Sequence, residues 1–143
     1  MPLIFRRRPT AKLTEVVFSR EIIEGLFCLA KDNHPREIFL LLRGRVRGCS
    51  VYVDELVYPV NTIFGLGFSG FQLHNLPLDP SIIGSVHSHP SGSSSPSTQD
   101  LHNFYGIVMV ILAYPYTLAS TSAYDKSGNS LMVRVINSLE FRA

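Results

Sequence analysis

The sequence contains few cysteines, and this scarcity excludes one class of metal site. Cys28 and Cys49 are the only two among the 143 residues, and they form no Cys-x-x-Cys pair. Two distant thiols cannot provide the three or four ligands of a cysteine-rich zinc site. We expect both to be small buried side chains, while a single bridge between them stays open on the sequence alone.

Long apolar segments are also missing. The longest apolar run, Ile107 to Tyr114, has the length of a strand and falls far short of the roughly 20 residues that a membrane-spanning helix needs. Arg6 to Arg8 could begin a signal peptide, but Pro9, Lys12 and Glu15 interrupt the segment behind them. We therefore expect a soluble, cytoplasmic protein without membrane contacts.

Acidic residues are outnumbered in the first third of the chain. Residues 1–47 hold ten of the thirteen lysines and arginines against five acidic residues, which leaves three bases and six acids in the remainder. This excess could form a basic face for an acidic partner or nucleic acid, or simply a solvated arm and helix surface. Because no aromatic residues alternate with the basic ones, as they do where bases stack, we favour the solvated surface and expect no nucleic-acid partner.

Three common catalytic motifs are absent. The His-Glu-x-x-His of helix-borne zinc proteases does not occur, and neither does the His-x-Glu with Pro-Cys-x-x-Cys of nucleobase deaminases. A serine nucleophile elbow, Gly-x-Ser-x-Gly, is also lacking, because the glycines around Ser69 stand in the wrong register. The sequence therefore excludes the usual signatures of these three enzyme classes.

The residues that are present predict one packed domain of the α/β class. Hydrophobic residues make up 45% of the chain, which predicts a core and not disorder. We place one domain at residues 19–143, behind a basic arm and first strand at residues 1–18. Apolar periodicity predicts a helix from Ser19, which can cap it, to His34-Pro35. Strands at 37–42, 49–58, 82–89, 107–113, 117–124 and 131–136, with a short helix at 97–105, predict a mixed sheet flanked by helices.

Three side chains have the composition of a metal site. His87 and His89 end a predicted strand, and side chains two residues apart on a strand leave the same face. Asp100 follows on the first turn of a helix, so two imidazoles and one carboxylate could hold zinc and leave one position for water. Singly, the histidines could be ordinary polar residues, and Ser97 with Asp100 could be a helix cap. Because Asp is shorter than the Glu or Gln that this cap prefers, we expect the Asp100 carboxylate to turn outward, away from the cap.

The combined pattern resembles a known family. His87-Ser88-His89-Pro90, then Ser97 and Asp100, match the JAMM motif of the MPN-domain (MPN-plus) metalloproteases, in the compact form found in archaea and bacteria. The segment His34-Pro35-Arg36-Glu37 before the 38–42 strand is similar to the family's upstream glutamate element. The resemblance covers about residues 20–136 and implies an MPN fold with a deaminase-like three-layer architecture.

The family resemblance also implies a site and a substrate class. It implies one zinc ion with a bound water per chain, Glu37 as general base and Ser97 as hydrogen-bond donor, although a surface carboxylate and a structural cap are the plain alternatives. His34 and His102 are left outside the metal shell. Ubiquitin-like proteins or their conjugates are the implied substrates, with contacts in the 59–76 loop through Phe64, Phe68 and Phe71, which could equally fill the core.

Two other functions stay open. One is a non-catalytic MPN scaffold that binds partner proteins, although scaffold members typically lose the metal ligands. The other is a role in DNA metabolism, because Pro90-Ser91-Gly92 is similar to the RadC branch. The sequence leaves open the oligomeric state, and whether the enzyme cuts isopeptide bonds or trims precursors.

Overall fold

A computed structural model of the protein describes residues 12–59 and 79–137. Within these two ranges, the helices and strands follow one another in the order that the sequence predicts, with one additional 3-10 turn. The elements are β1 (Glu15–Ser19), α1 (Arg20–Asn33), β2 (Phe39–Arg47), β3 (Ser50–Val57), β4 (Ile82–His89), α2 (Thr98–His102), β5 (Val108–Ala113), a 3-10 helix (Leu118–Ser120), β6 (Thr121–Asp125) and β7 (Ser130–Ile136).

The strands form one mixed sheet that closes into a barrel in the order β1-β3-β2-β4-β5-β6-β7. β4 pairs in parallel with β5, and β1 pairs in parallel with both β3 and β7. The remaining neighbours are antiparallel. The predicted mixed sheet with helices is therefore confirmed, and the closure through β1 and β7 is an additional finding.

Helix α1 packs one face on the main core. The Ser19 side chain caps it by accepting from the backbone N–H of Ile22 at 3.3 Å, as the sequence predicts. Ile23, Leu26 and Ala30 recur at helical spacing and are all buried. Their burial keeps the helix on the sheet beside β1 and β7.

Two strands, helix α2 and both cysteines depart from the predictions. Helix α2 ends at His102, three residues before the predicted end at Tyr105. β2 continues to Arg47, because its ladder with β3 runs through the residues that follow Leu42. β6 begins at Thr121, since Thr117 and Ser120 hydrogen-bond each other in a 3-10 turn. The expected burial of the cysteines was wrong: both are exposed and unbridged. Cys28 lies on the outer face of α1, and Cys49 lies in the turn between β2 and β3.

Within residues 12–59 and 79–137, neither α-helix has the length and apolar character that crossing a membrane requires.

An ion pair joins β1 to β7, the two strands whose pairing closes the barrel. Arg134 on β7 donates to Glu15 on β1, with its Nη2 at 2.9 Å from Oε2, and the Ser50 hydroxyl donates to the same oxygen at 2.9 Å. The hydrogen bonds from Arg134 hold the pKa of Glu15 below its usual 4.5, against the opposing effect of burial. The carboxylate therefore links β1, β3 and β7.

Replacing Glu15 by Gln should lower the free energy of unfolding by about 1 kcal/mol at neutral pH. A group whose pKa is depressed in the folded state stabilises above its unfolded pKa and loses this contribution as pH falls through the folded value. The deficit should therefore shrink below pH 4.5, measurable by urea unfolding over a pH series. Glu24→Gln, which removes an exposed pair with Arg20 at 3.8 Å, is the control. A deficit that is the same at every pH would contradict this account.

Candidate metal centre

The end of β4 brings two imidazoles together. His87 and His89 leave the same face of the strand, and their Nε2 atoms lie 3.0 Å apart. Only 1% of the His87 surface is exposed, because β2 and β5 flank it through Phe39 and Ile111. His89 is the more open of the two and ends the strand at the edge of a cavity.

Helix α2 adds the carboxylate of Asp100. Its Oδ1 lies 3.4 Å from His87 Nε2, and its Oδ2 lies 3.2 Å from His89 Nε2. One ligand atom from each of the three residues falls within 4.8 Å of the other two, so the group could hold a metal ion. The structure thus brings together the three residues predicted as ligands, and their role as ligands stays a prediction.

The N-terminal cap of α2 fixes the orientation of the Asp100 carboxylate. Ser97 Oγ accepts from the backbone N–H of Asp100 at 3.0 Å, and the backbone N–H of Ser97 donates to Asp100 Oδ2 at 2.8 Å. The expectation that Asp100 would turn away from the cap was wrong. A carboxylate oxygen has more than one lone pair, so Oδ2 serves the cap and still faces His89, while Oδ1 faces His87. The cap and the metal site therefore share one side chain.

The charges of the three groups suit a cation. Burial alone would raise the pKa of Asp100, but hydrogen bonds from His87 and His89 outweigh it and hold that pKa far below its usual 3.8. For His89, burial lowers the pKa, but the hydrogen bonds to Asp100 and to the Ser93 carbonyl, together with the charges of Asp100 and Glu37, raise it above its usual value. The carboxylate stays ionised between two imidazoles whose Nε2 atoms face each other. A shared cation satisfies all three groups at once, so the donor set fits a metal.

The loop after β4 fixes the orientation of His89. Its Nδ1 lies 2.7 Å from the carbonyl oxygen of Ser93. Because a carbonyl can only accept, Nδ1 carries the proton and, in the neutral ring, Nε2 keeps the lone pair that a metal ligand needs. Metal-binding histidines usually have such a partner on the opposite ring nitrogen.

An open cavity of about 760 Å³ adjoins the three residues. Glu37 and Ser97 line it with His89 and Asp100, and the charge of Glu37 also contributes to the raised pKa of His89. Glu37 stands two residues before Phe39, whose ladder partner is His87, so β2 places it beside the site. The structure thus gathers both predicted catalytic residues at the cavity. The remaining lining residues are Pro90, Ser91, Ser93, Ser95, Pro96 and Gln99.

The other predicted residues have different positions. Phe64, Phe68 and Phe71, the expected substrate contacts, lie outside the described residues. His102 is exposed on α2 and does not belong to the three-residue group.

An aromatic cluster of His34, Tyr114 and Tyr116 was not predicted from the sequence. His34 Nδ1 and the Tyr116 hydroxyl lie 2.6 Å apart, and the His34 ring stacks on Tyr114 with centroids 4.7 Å apart. Burial raises the pKa of Tyr116, and the charges of Tyr114 and Glu37 raise it further. The cluster therefore lies within electrostatic reach of Glu37. Since 82 residues separate His34 from Tyr116, no local pattern could have revealed the pair.

Sequence comparison gives two related findings. The family described as prokaryotic homologs of the JAB domain matches residues 19–127. A protein from Haloferax volcanii described as a probable metalloprotease is 36% identical, over a region that covers 68% of this chain and 65% of that protein. The match therefore spans just under two thirds of the relative's length.

Solved structures with the same fold are numerous. One, described as JAMM, a metalloprotease-like zinc site in the proteasome and signalosome, is 29% identical with a TM-score of 0.61 and covers 88% of this chain and 100% of that one. A JAB1/MPN domain protein from Archaeoglobus fulgidus is 30% identical with a TM-score of 0.63, covering 84% and 98%. A protein from Desulfitobacterium hafniense, 20% identical with a TM-score of 0.60 and covering 87% and 95%, shares the fold.

Proposed function

Because this chain belongs to the prokaryotic homologs of the JAB domain, we propose that it is a zinc-dependent metalloprotease that cleaves after the C-terminus of ubiquitin-like proteins. The observation that carries this proposal is the convergence of His87, His89 and Asp100 beside a cavity that also holds Glu37 and Ser97. Two imidazoles, one carboxylate and an adjacent open space are the usual composition of a catalytic zinc centre.

The three ligands each have a distinct task. His87 would hold the metal from the buried end of the site, and His89 would hold it from the cavity edge. Asp100 would supply the negative charge that offsets the cation, with its position fixed by the α2 cap. When bound, zinc would lower the pKa of water toward ~7 and polarise the scissile carbonyl.

Glu37 and Ser97 supply the proton chemistry. The Glu37 carboxylate takes the proton from the attacking water and delivers it to the leaving amine, so one group acts first as base and then as acid. The Ser97 Oγ accepts from Asp100 N, which leaves its own hydroxyl proton for the substrate's carbonyl oxygen as negative charge develops there. Both residues line the same cavity as His89, as these roles require.

The lining of the cavity supports a substrate with a slender C-terminal tail. Its wall beside His89 and Asp100 consists mostly of serines and prolines from the 90–97 segment. Among the described residues this wall offers hydroxyl groups and no large aliphatic side chain. A tail that ends in glycines, as in ubiquitin-like proteins, could lie extended along it with its last carbonyl near Ser97. The Haloferax volcanii relative, described as a probable metalloprotease, supports the hydrolytic part of the proposal.

The direct test is to incubate the purified chain with a panel of ubiquitin-like conjugates and precursors, with and without a zinc chelator. We expect release of a ubiquitin-like protein with a free C-terminal glycine, loss of this activity with chelator, and its recovery on adding zinc. Substrates whose last glycines are replaced by leucine serve as the matched negative control. If the zinc-loaded chain cleaves no member of the panel, the substrate proposal fails. Binding without cleavage would favour the scaffold alternative.

Ser97 offers a test that separates its two jobs. Ser97→Ala should lower kcat by roughly 10²- to 10³-fold and cost about 1 kcal/mol of stability through the lost cap. Ser97→Gly should lower kcat equally. It should reduce the free energy of unfolding by only about a few tenths of a kcal/mol, because glycine is tolerated at the N-cap position. Ser97→Thr, which keeps a hydroxyl, should retain most of both. Steady-state kinetics and thermal unfolding measure the two effects. Wild-type kcat in the glycine variant would reduce Ser97 to a structural residue.

A further inference from the structure

A distant strand holds the loop that orients His89. Ser93 provides the carbonyl that accepts from His89 Nδ1 at 2.7 Å. The next carbonyl along the chain, that of Ser94, accepts from the hydroxyl of Tyr124 on β6 at 2.8 Å. Two consecutive peptide carbonyls therefore accept hydrogen bonds. The Ser93 carbonyl accepts from His89 in the candidate metal site, and the Ser94 carbonyl accepts from Tyr124, which lies 30 residues further along the chain.

The sheet register brings Tyr124 to the correct face. Tyr124 pairs with Met109 on β5, and Met109 pairs with Ser85 on β4. Because ladder partners share a face and Ser85 stands two residues before His87, the Tyr124 ring and the histidines leave the same side of the sheet. Tyr124 is half-buried, so its hydroxyl approaches the loop from a fixed position on the barrel.

Apart from the bond between His89 and Ser93 at 2.7 Å, the hydrogen bonds that join residues 89–95 to one another are longer than the Tyr124 contact. The N–H of Gly92 donates to the His89 carbonyl at 3.2 Å, and the N–H groups of Ser93 and Ser95 reach serine hydroxyls at 3.4 Å. Bonds of 3.4 Å are weak, and these join residues that can move together. The Tyr124 bond is shorter and ties the loop to the sheet.

We propose that Tyr124 is a positioning residue of the metal centre. Its hydroxyl holds the Ser93–Ser94 segment so that the Ser93 carbonyl keeps His89 protonated at Nδ1 and its Nε2 directed at the cation. Ser93 and Ser95 also line the cavity, so the same bond keeps the substrate wall in place. This inference rests on the proposed function only in requiring that His87, His89 and Asp100 bind zinc.

Tyr124→Phe tests the proposal, because it keeps the ring and removes the hydroxyl. We expect the zinc dissociation constant, measured by competition with a chromogenic chelator, to rise by about three- to tenfold, at or below the 10–100-fold typical of a direct outer-shell partner. Tyr52→Phe is the matched control. This substitution removes the hydroxyl of a tyrosine whose side chain interacts with Arg134 on β7. The Tyr52→Phe variant should bind zinc as the wild type does.

Two readouts separate positioning from a purely structural role. A structural role alone would lower the melting temperature of the apo and zinc-loaded forms equally, whereas weaker zinc binding reduces the rise in melting temperature that zinc produces. We expect a smaller zinc-induced rise for Tyr124→Phe and an unchanged rise for Tyr52→Phe. In wild-type zinc-loaded protein, nitrogen-15 NMR should show a slowly exchanging proton on His89 Nδ1, which exchanges faster in Tyr124→Phe.

The outcomes distinguish the inference from the proposed function. If the wild type binds zinc and Tyr124→Phe binds it equally well, the positioning role is overturned and the proposed function stands. If the wild type binds no zinc, both fall together. If Tyr124→Phe does not fold, the wild-type spectrum decides: a slowly exchanging hydroxyl proton on Tyr124 beside a protected His89 Nδ1 proton supports the inference, and rapid exchange of the Tyr124 hydroxyl proton overturns it.

Discussion

Replacing Glu37 by Gln is expected to lower kcat by about 10²- to 10⁴-fold while the chain keeps its zinc. Glutamine has nearly the shape of glutamate but cannot accept the proton of the attacking water at neutral pH. Glu37 also lies outside the group of three residues that converges on the metal position, so zinc content should stay at the wild-type level. Single-turnover kinetics and elemental analysis of the same preparation measure the two quantities.

Glu24→Gln is the matched control for this experiment. Glu24 is an exposed glutamate on α1 that pairs with Arg20, and its loss should leave both kcat and zinc content unchanged. Wild-type turnover by Glu37→Gln would remove Glu37 from the role of base. Loss of zinc in that variant would instead make Glu37 part of the metal shell.

Asp100→Asn is expected to weaken zinc binding by more than about 100-fold, beyond the loss typical of an outer-shell partner, and to abolish turnover. The amide keeps an oxygen that can accept from the Ser97 N–H, so the α2 cap survives. What disappears is the negative charge between His87 and His89. Zinc per chain after dialysis, measured by elemental analysis, should fall from one to near zero.

His102→Ala provides the control, because His102 is an exposed residue of the same short helix. It should keep full zinc content and activity. Asp100→Ala should lose zinc equally and, in addition, lose stability through the broken cap, by about 1 kcal/mol. Full zinc occupancy in Asp100→Asn would show that the carboxylate is not a ligand and would leave the site with only two histidines.

Sequence patterns predicted the helices and strands whose positions depend on neighbouring residues. The prediction of β4 at Ile82–His89, between Pro80 and Pro90, matches the structure, and α1 follows from its apolar stripe and Ser19 cap. The family predicted from the His87 to Asp100 pattern is confirmed by the match over residues 19–127. These features depend on spacing within about 20 residues, which a sequence displays directly.

The features that the sequence did not reveal depend mostly on contacts between residues far apart in the chain. The barrel closes because Glu15 pairs with Met132, a contact that neither segment signals by itself. The capping box also contradicted the simplest expectation for Asp100, since side-chain length alone does not reveal that one carboxylate can serve two sites. Tyr124 carries no motif at all, and its contact with Ser94 exists only once β6 is in place. The residues that converge at the candidate metal site could therefore be predicted from the sequence, and the parts that hold them in position could not.

X-ray absorption of the zinc-loaded chain tests most directly whether two histidines and Asp100 hold one metal ion. The expected spectrum has about one zinc per chain, two imidazole nitrogens and oxygen ligands at roughly 2.0–2.2 Å, and no sulfur near ~2.3 Å. In His89→Ala the imidazole signal should disappear together with most of the zinc. A sulfur shell from Cys28 or Cys49, or an unchanged spectrum in His89→Ala, would show that zinc binds elsewhere and would contradict the proposed metal centre.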